Sequence, residues 1–177
     1  MLSTAEGAGM SIDSAADAAL EQLYAAHYTG LVRMAVLLLR DQALAEDVVQ
    51  DAFVAVHGRW HRIDPDRAPA YLRQTVVNRS RSALRHRTVV ARHRPPPLPD
   101  EAPADVPVLA AERRTAVLDA LAELPTRQRE VLVLRHYLDL SEADIATTLG
   151  ISRGAVKSHA SRAAASLRAR LSREEDS

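Results

Sequence analysis

The sequence predicts an all-α protein made of two small helical domains joined by a proline-rich linker. Apolar residues make up 47% of the 177 residues but aromatic residues only 3%, so alanine and leucine supply most of the hydrophobic content and favour helices over sheets. Apolar side chains recur with helical spacing, and no segment shows the period-two alternation of a strand. Six of the nine prolines lie within residues 88–111, where neither a helix nor a central strand can continue.

The composition also excludes several classes of protein. The chain has no cysteine, which excludes disulfides, thiolate metal sites and cysteine nucleophiles and is typical of a reducing compartment. Residues 1–20 lack the basic start and apolar run of a secretory signal, and no stretch is long and apolar enough to cross a membrane. We therefore expect a cytoplasmic protein without membrane insertion.

The linker divides the chain into five segments. Met10 is an alternative start to Met1, because the residues before it look like a flexible tail. The predicted segments are the tail at 1–14, a first domain at 15–88, an extended linker at 89–111, a second domain at 112–172 and a short tail at 173–177.

The first domain begins with two predicted helical segments. Helical apolar spacing runs over residues 13–40, and Gly30 is expected to break this segment into two helices. Asp41 is a suitable N-cap for the next helix, whose apolar stripe runs over 44–56 and which should end at Gly58.

The charges are distributed unevenly, although the formal net charge is zero. A loop at 58–69 leads into a helix over 68–87, and the run 67–99 contains eight arginines and no acid. Residues 152–171 are also basic without an acid, whereas acids concentrate at 41–51 and 100–112. Two basic faces apart from an acidic surface indicate a polyanion touched at two places. Solvated helix faces are the alternative.

The second domain has clear helix start and stop signals. Ser141 is positioned as an N-cap with Asp144 as its capping-box partner, Gly150 should end that helix, and Ser152 should cap the next. Helices are predicted at 112–123, 125–137, 141–149 and 153–171.

The last two helices and their Gly-Ile-Ser corner have the pattern of a helix-turn-helix. Ile145, Leu149 and Val156 lie where the two helices must meet, which turns the polar side of the second helix outward. The first turns of that helix are the part that reaches base edges and phosphates in a major groove. A helical hairpin with a basic surface is the alternative. The predicted DNA contacts are Arg153, Lys157, Ser158, His159, Ser161 and Arg162.

Four motifs in fixed order carry a resemblance to a known family. They are AEDVVQDAF at 45–53, RWHRI at 59–63, PAYLRQTVVNRSRSALRHR at 69–87 and, after the linker, LPTRQREVLVLRHYLDLSEADIATTLGISRGAVKSHASRA at 124–163. Together they resemble the extracytoplasmic-function (ECF, group 4) sigma factors of bacterial RNA polymerase, within the sigma-70 superfamily. The resemblance extends over about residues 17–171. It implies that the first domain is a sigma region 2 bundle and the second a sigma region 4 domain.

The resemblance implies core RNA polymerase and promoter DNA as partners. In the family the D-x-x-Q-E/D-x-F helix docks on the coiled coil of the β′ clamp, and the β flap of core polymerase is a further implied partner. Asp47, Gln50 and Asp51 match that motif, with Phe53 packed beneath them. An ordinary acidic helix face is the alternative for this segment.

The resemblance also implies that the next loop and helix open the −10 element and hold a flipped base. Asn78 occupies the position of the family's asparagine, the loop from Arg62 to Pro69 would complete the pocket, and arginines would hold the backbone. Few aromatic residues lie in this region, so the side chain that wedges the duplex is not identified. The implied −10 residues are Trp60, Arg62, Arg67, Arg73, Asn78, Arg79 and Arg81.

The resemblance leaves three further points open. The linker, with Asp100, Glu101 and Asp105, either threads toward the polymerase RNA channel or is a plain spacer. An anti-sigma factor is a further partner that the family allows. Ala160 and Ser161 stand where relatives often carry bulkier residues, so no base preference is carried over.

The rival interpretation is a helix-turn-helix transcriptional regulator that binds duplex DNA as a dimer without polymerase. An enzyme is not predicted, and no cofactor is expected. His57 and His61 have the spacing of a metal pair but lack a third ligand, and Gly7-Ala8-Gly9 lies in the tail and is no phosphate loop.

Overall fold

The computed structural model describes the backbone of residues 6–91 and 108–175 and the side chains of 16–89 and 113–170. All regular structure in these residues is helical, and no strand occurs among them, as the sequence predicts. The helices are α1 (Glu6–Leu39), α2 (Gln42–His57), α3 (Ala68–Ala91), α4 (Val108–Glu123), α5 (Thr126–His136), α6 (Glu142–Leu149) and α7 (Arg153–Glu175).

Helices α1, α2 and α3 pack against one another and form the first domain. The stripe predicted on α2 is buried, and Met34, Val49, Leu72 and Val76 are among the largest fully buried side chains. The predicted cap is confirmed, since the Asp41 carboxylate accepts a hydrogen bond from the Leu44 N–H at 2.9 Å. It satisfies one of the N–H groups that a helix start leaves without a partner.

Two expectations for α1 are wrong. The helix continues through Gly30, because a single glycine lowers helix stability by only about 1 kcal/mol and the neighbours on both sides pack into the core. The helix also begins at Glu6 rather than near Asp13, so that residues 6–14, predicted as part of a tail, are helical. No proline interrupts this segment.

The predicted loop between α2 and α3 contains short helical turns. It contains two short 3₁₀ turns, Trp60–Arg62 and Pro65–Arg67, and the second begins where the Asp64 side chain accepts from the Asp66 N–H. Gly58 ends α2 as expected, but with φ −63°, an ordinary right-handed conformation. The loop therefore remains compact beside the bundle.

The second domain contains the predicted corner. Gly150 has φ 63° and ψ 40°, the left-handed conformation that ends α6, and its N–H and that of Ile151 return to carbonyls of the last turn. Ser141 and Ser152 both cap as predicted, with their hydroxyls accepting from Asp144 N–H and Ala155 N–H at 3.1 Å each. The Asp144 carboxylate accepts from the Ser141 hydroxyl, which fixes the cap.

The segment between α3 and α4 is shorter than the predicted linker. Residues 89–91 continue α3 and residues 108–111 begin α4, so the helices extend into both ends of the segment 89–111. The polyproline run and Asp100, Glu101 and Asp105 lie outside the described residues. No helix among the described residues is long and apolar enough to span a membrane.

The two domains contact each other directly. Helix α5 packs on α1 and α7, α4 packs on α1, and α6 packs on α3. One cluster of buried apolar side chains runs from the α1–α3 bundle into α5, α6 and α7. As a result α5 is buried from Arg129 to Leu134, and this stretch includes the charged residues Arg129 and Glu130.

Candidate nucleic-acid and polymerase interfaces

The first three turns of α7, which follow the Gly150 corner, have a buried side and an exposed side. Val156, Ala160 and Ala163 face inward and are buried. The five predicted contacts that lie on the exposed side are Arg153, Lys157, Ser158, Ser161 and Arg162. The Lys157 ammonium lies 3.8 Å from the Glu142 carboxylate but is largely exposed, so it can still turn to a ligand.

His159 differs from the other predicted contacts on α7. It is half-buried, and its Nδ1 is buried without a hydrogen-bond partner among the described residues. The reason is helical phase: His159 follows the buried Val156 by three residues and therefore lies at the edge of the inward stripe. The structure thus separates His159 from the exposed set.

A cleft of about 730 Å³ lies between the end of α2 and the first half of α3. Asn78 and Arg79 line it, as does Tyr71, whose hydroxyl accepts a hydrogen bond from Arg59 at 3.0 Å. The loop from Arg62 to Pro69, expected to complete a pocket around Asn78, is not among the lining residues. The full lining is Ala55, Gly58, Arg59, Tyr71, Gln74, Thr75, Asn78, Arg79 and Ser82.

The predicted −10 residues differ in burial and in their distance from this cleft. Arg62 and Arg67 are exposed on the loop, and Trp60 is packed in part against the core. Asn78 is exposed beside the cleft, and its side-chain oxygen accepts from Arg81 at 3.3 Å. Only Asn78 and Arg79 of the predicted set border the cleft.

The basic run 67–99 contains no acid, but the fold places acids from other parts of the chain beside its arginines. Three of its arginines form ion pairs with acids. The pairs and their N···O distances are Arg79–Asp51 at 3.2 Å, Arg81–Glu130 at 2.9 Å and Arg87–Asp41 at 3.5 Å. The expected separation into basic faces and a distinct acidic surface is therefore incomplete. Folding places acids from α2, from its N-cap and from α5 beside the arginines of α3.

Arg73 lies where α3 meets α6. Its Nε is buried without a hydrogen-bond partner among the described residues. Burial lowers the pKa of its guanidinium, and the nearby Asp144 carboxylate offsets only part of that effect. Arg73 therefore belongs to the contact between the domains in this structure.

The predicted polymerase-binding residues lie on α2 as expected. Asp47, Gln50 and Asp51 are exposed, and Phe53 is buried beneath them. Phe53 packs with its ring 5.0 Å from Tyr24, which in turn stacks on Tyr28 at 4.5 Å. The acidic residues thus stand on a rigid helix whose other side is fixed by aromatic packing.

Two family models match the chain, one in each domain. The model described as sigma-70 region 2 matches residues 23–89, and the one described as sigma-70, region 4 matches residues 114–167. The RNA polymerase sigma-E factor of Streptomyces coelicolor is 37% identical over 142 residues, which cover 80% of this chain and 79% of that relative. The ECF RNA polymerase sigma factor SigL of Mycobacterium tuberculosis is 37% identical over 165 residues, 89% of this chain and 92% of that relative.

The chain belongs to the ECF RNA polymerase sigma factors. Among solved structures, that of CnrH in complex with the cytosolic domain of CnrY has a TM-score of 0.67 at 31% identity and covers 89% of both chains. The sigma factor RpoE in complex with the anti-sigma factor NepR from Bartonella quintana has a TM-score of 0.70 at 24% identity, over 86% of this chain and 96% of that one. The latter shows the same fold.

Sequence reasoning missed several residues of this sigma factor. Tyr71, Gln74 and Ser82 line the cleft together with the predicted Asn78, and their spacing of three or four residues along α3 alone places all four on one face. The buried pair Arg129 and Glu130 had no comparable signal, because charged residues within an amphipathic helix are normally assigned to the exposed side. Their burial depends on contacts from the first domain.

Proposed function

We propose that this sigma factor binds core RNA polymerase and directs promoter-specific initiation by recognising the −35 element with α7 and the −10 element with α3. The observation that carries the proposal is the exposed polar face of α7, which follows a left-handed corner at Gly150 in a chain that also contains a region 2 domain. A recognition helix by itself reads duplex DNA. In this proposal the region 2 domain adds binding of the polymerase and opening of the DNA strands.

The −35 contacts would come from side chains of different kinds. Arg153, Lys157 and Arg162 supply cations for phosphates or for guanine edges, and Ser158 and Ser161 supply short hydroxyls that accept or donate. All five are exposed on the first three turns of α7. This spacing suits insertion of the helix N-terminal half into a major groove.

The −10 contacts would centre on the cleft at Asn78. Tyr71 offers an aromatic ring on which a base can stack, while Gln74 and Asn78 offer amides that can hydrogen-bond to a base edge. Arg59 and Arg79 at the rim offer cations for the backbone. The cleft thus combines the groups that hold an extruded base, although its lining differs from the loop we expected.

The polymerase contact would be made by the outer face of α2. Asp47, Gln50 and Asp51 are exposed there, and the adjoining surface contains Tyr24 and Val54, which are 44% and 71% exposed. An apolar patch beside acids is a common composition for a protein interface, since apolar burial supplies affinity and charge sets orientation.

We further propose that the chain performs no catalytic step itself, since the polymerase carries out the chemistry, and that it acts in the cytoplasm with that enzyme. An anti-sigma factor is a proposed partner as well. Its support is the similarity to CnrH and RpoE, whose solved structures are complexes with CnrY and with the anti-sigma factor NepR.

Run-off transcription with purified core polymerase on a pool of genomic promoters tests the proposal. We expect specific transcripts only when both the protein and core polymerase are present, and a gel shift of promoter duplex that requires polymerase. A tight, polymerase-independent shift without any transcript would instead indicate a helix-turn-helix regulator.

A further inference from the structure

Glu142 lies between the end of α5 and the exposed side of α7, next to the proposed −35 surface. Its side chain is 20% exposed, and its two carboxylate oxygens face different cations. Oε1 accepts a hydrogen bond from Nη2 of Arg135 at 2.8 Å, and Oε2 lies 3.8 Å from the Lys157 ammonium. A negative charge therefore stands directly beside a cation that the proposed function assigns to DNA.

The position of the Glu142 carboxylate is set within the second domain. Glu142 is the first residue of α6, where the positive end of the helix dipole favours an acid, and Ser141 fixes that start as the N-cap. Arg135 lies in the last turn of α5, where the dipole favours a cation. Because Arg135 engages Oε1, the other oxygen is turned toward α7. The carboxylate is thus in place before any DNA is bound.

Lys157 is held much less firmly than Glu142. Its side chain is 67% exposed, and a lysine combines a compact charge with a flexible four-carbon stem. Such an ammonium binds any phosphate within its reach, and a phosphate contact carries no direct sequence information. A fixed carboxylate beside Lys157 attracts the ammonium and repels phosphates, so it restricts which groups of the DNA the ammonium can bind.

We propose that Glu142 is a positioning residue that determines −35 specificity, by directing Lys157 to a base edge and away from the phosphate backbone. The proposal rests on the proposed function, in which Lys157 contacts the −35 element. The base acceptors of the major groove, such as N7 and O6 of guanine, carry no formal charge. The Glu142 carboxylate therefore disfavours them less than it disfavours a phosphate. Its effect is to weaken binding to unrelated sequences and to widen the difference between the right sequence and a wrong one.

Packing of α6 on α7 does not depend on this ion pair. Ile145 and Leu149 of α6 and Val156 of α7 are buried in one apolar cluster, which already holds the two helices together. An ion pair with an exposed lysine adds little to the stability of such a junction. Loss of the Glu142 charge should therefore change the discrimination between DNA sequences more than it changes folding.

The test variant is Glu142→Gln, which keeps the size of the side chain and removes its charge. Holoenzyme made from core polymerase and the full-length protein is offered a library of the promoter that the wild-type protein transcribes most strongly, with its −35 positions randomised. We expect the preference for the best base to fall by about 5-fold or more at one −35 position, the lower end of what a good base contact supplies.

Binding of the same holoenzyme to a duplex that lacks the promoter gives a second readout. The Glu142→Gln holoenzyme should bind this duplex more tightly than the wild-type holoenzyme does. The slope of log K against log salt concentration should steepen by about 0.9, because Lys157 becomes free to neutralise one further phosphate.

Two comparisons separate positioning from a merely structural effect. Glu123→Gln is the matched control, since Glu123 pairs with Arg170 near the other end of α7, and it should leave both readouts unchanged. In a Lys157→Ala background, Glu142→Gln should no longer alter the −35 preference, because the cation through which it acts is absent.

The inference is overturned if the folded Glu142→Gln variant keeps the wild-type −35 preference or weakens all −35 sequences evenly. A change that persists in the Lys157→Ala background overturns it as well. Should Glu142→Gln fail to fold by circular dichroism, Glu142→Asp keeps the charge at the start of α6 but withdraws it from Lys157 by one methylene, and an unchanged −35 preference then overturns the inference. The absence of specific transcripts with the wild-type protein overturns the proposed function and this inference with it, whereas the other results concern Glu142 alone.

Discussion

Arg79 and Asp51 form an ion pair between α3 and α2, with Nη1 3.2 Å from Oδ2. Asp51 belongs to the proposed polymerase face and Arg79 to the proposed −10 surface. The side chains are 68% and 40% exposed, and an exposed pair of this kind contributes only about 0–1 kcal/mol. Either residue can therefore exchange its partner for another ligand at little cost to the fold.

Charge reversal at Asp51 should weaken polymerase binding. Asp51→Arg removes an acid from the proposed interface and places a second cation beside Arg79, so we expect a loss of core affinity of at least about 1 kcal/mol. The helical circular dichroism spectrum should not change, since Asp51 is exposed. Pull-down of core polymerase measures the effect, with Asp66→Arg in the exposed loop as control. Equal recovery of core enzyme by both variants would remove Asp51 from the interface.

Truncation of the cations on α7 should reduce −35 recognition. Arg162→Ala and Lys157→Ala should each weaken transcription from the cognate promoter, by about 1–3 kcal/mol where the contact is bidentate to a base. Ser166→Ala is the control, because Ser166 is exposed on the same helix beyond its first turns. Wild-type transcription by both cation variants would mean that α7 meets the DNA by another face.

Removal of the Asn78 amide should affect opening and not closed-complex formation. Asn78→Ala should leave core binding unchanged, reduce open complex by permanganate footprinting, and keep a base-specific defect on a pre-melted bubble template. Arg85→Ala, an exposed cation on the same helix, should instead weaken all sequences evenly and lower the salt slope by about one. If Asn78→Ala weakens binding equally for all variants of the −10 sequence, the assignment of the cleft as the site of the extruded base is wrong.

Two glycine substitutions should shift stability in opposite directions. An alanine side chain meets nothing within 4 Å at either Gly30 or Gly150, so the backbone alone decides. Gly150→Ala should destabilise by about 1–2 kcal/mol, because φ 63° is strained for an L-residue. Gly30→Ala should stabilise by about 0.5–1 kcal/mol, because the site is helix interior. Urea unfolding of both variants measures the difference, and shifts of the same sign would contradict it.

Local signals account for the predictions that were confirmed. Asp41, Ser141 and Ser152 cap helices through hydrogen bonds to residues three positions away, and Gly150 turns the chain by its own φ angle. Such features depend only on neighbours in sequence and can be predicted without the fold. Gly30 was mispredicted because its local cost is smaller than the packing of the helix around it.

The sequence by itself determined the helical fold class, most of the helices, the caps at Asp41, Ser141 and Ser152, the corner before α7 and the family to which the chain belongs. Only the tertiary structure decided which partners the charges have. From the sequence alone, Arg129 and Glu130 would be assigned to an exposed face of α5. In the structure the first domain covers this face: the Leu38 carbonyl accepts from Arg129, and Arg81 donates to Glu130. These contacts join residues 91 and 49 positions apart. No local rule specifies such a pairing, because it depends on the free energy of docking one domain on the other.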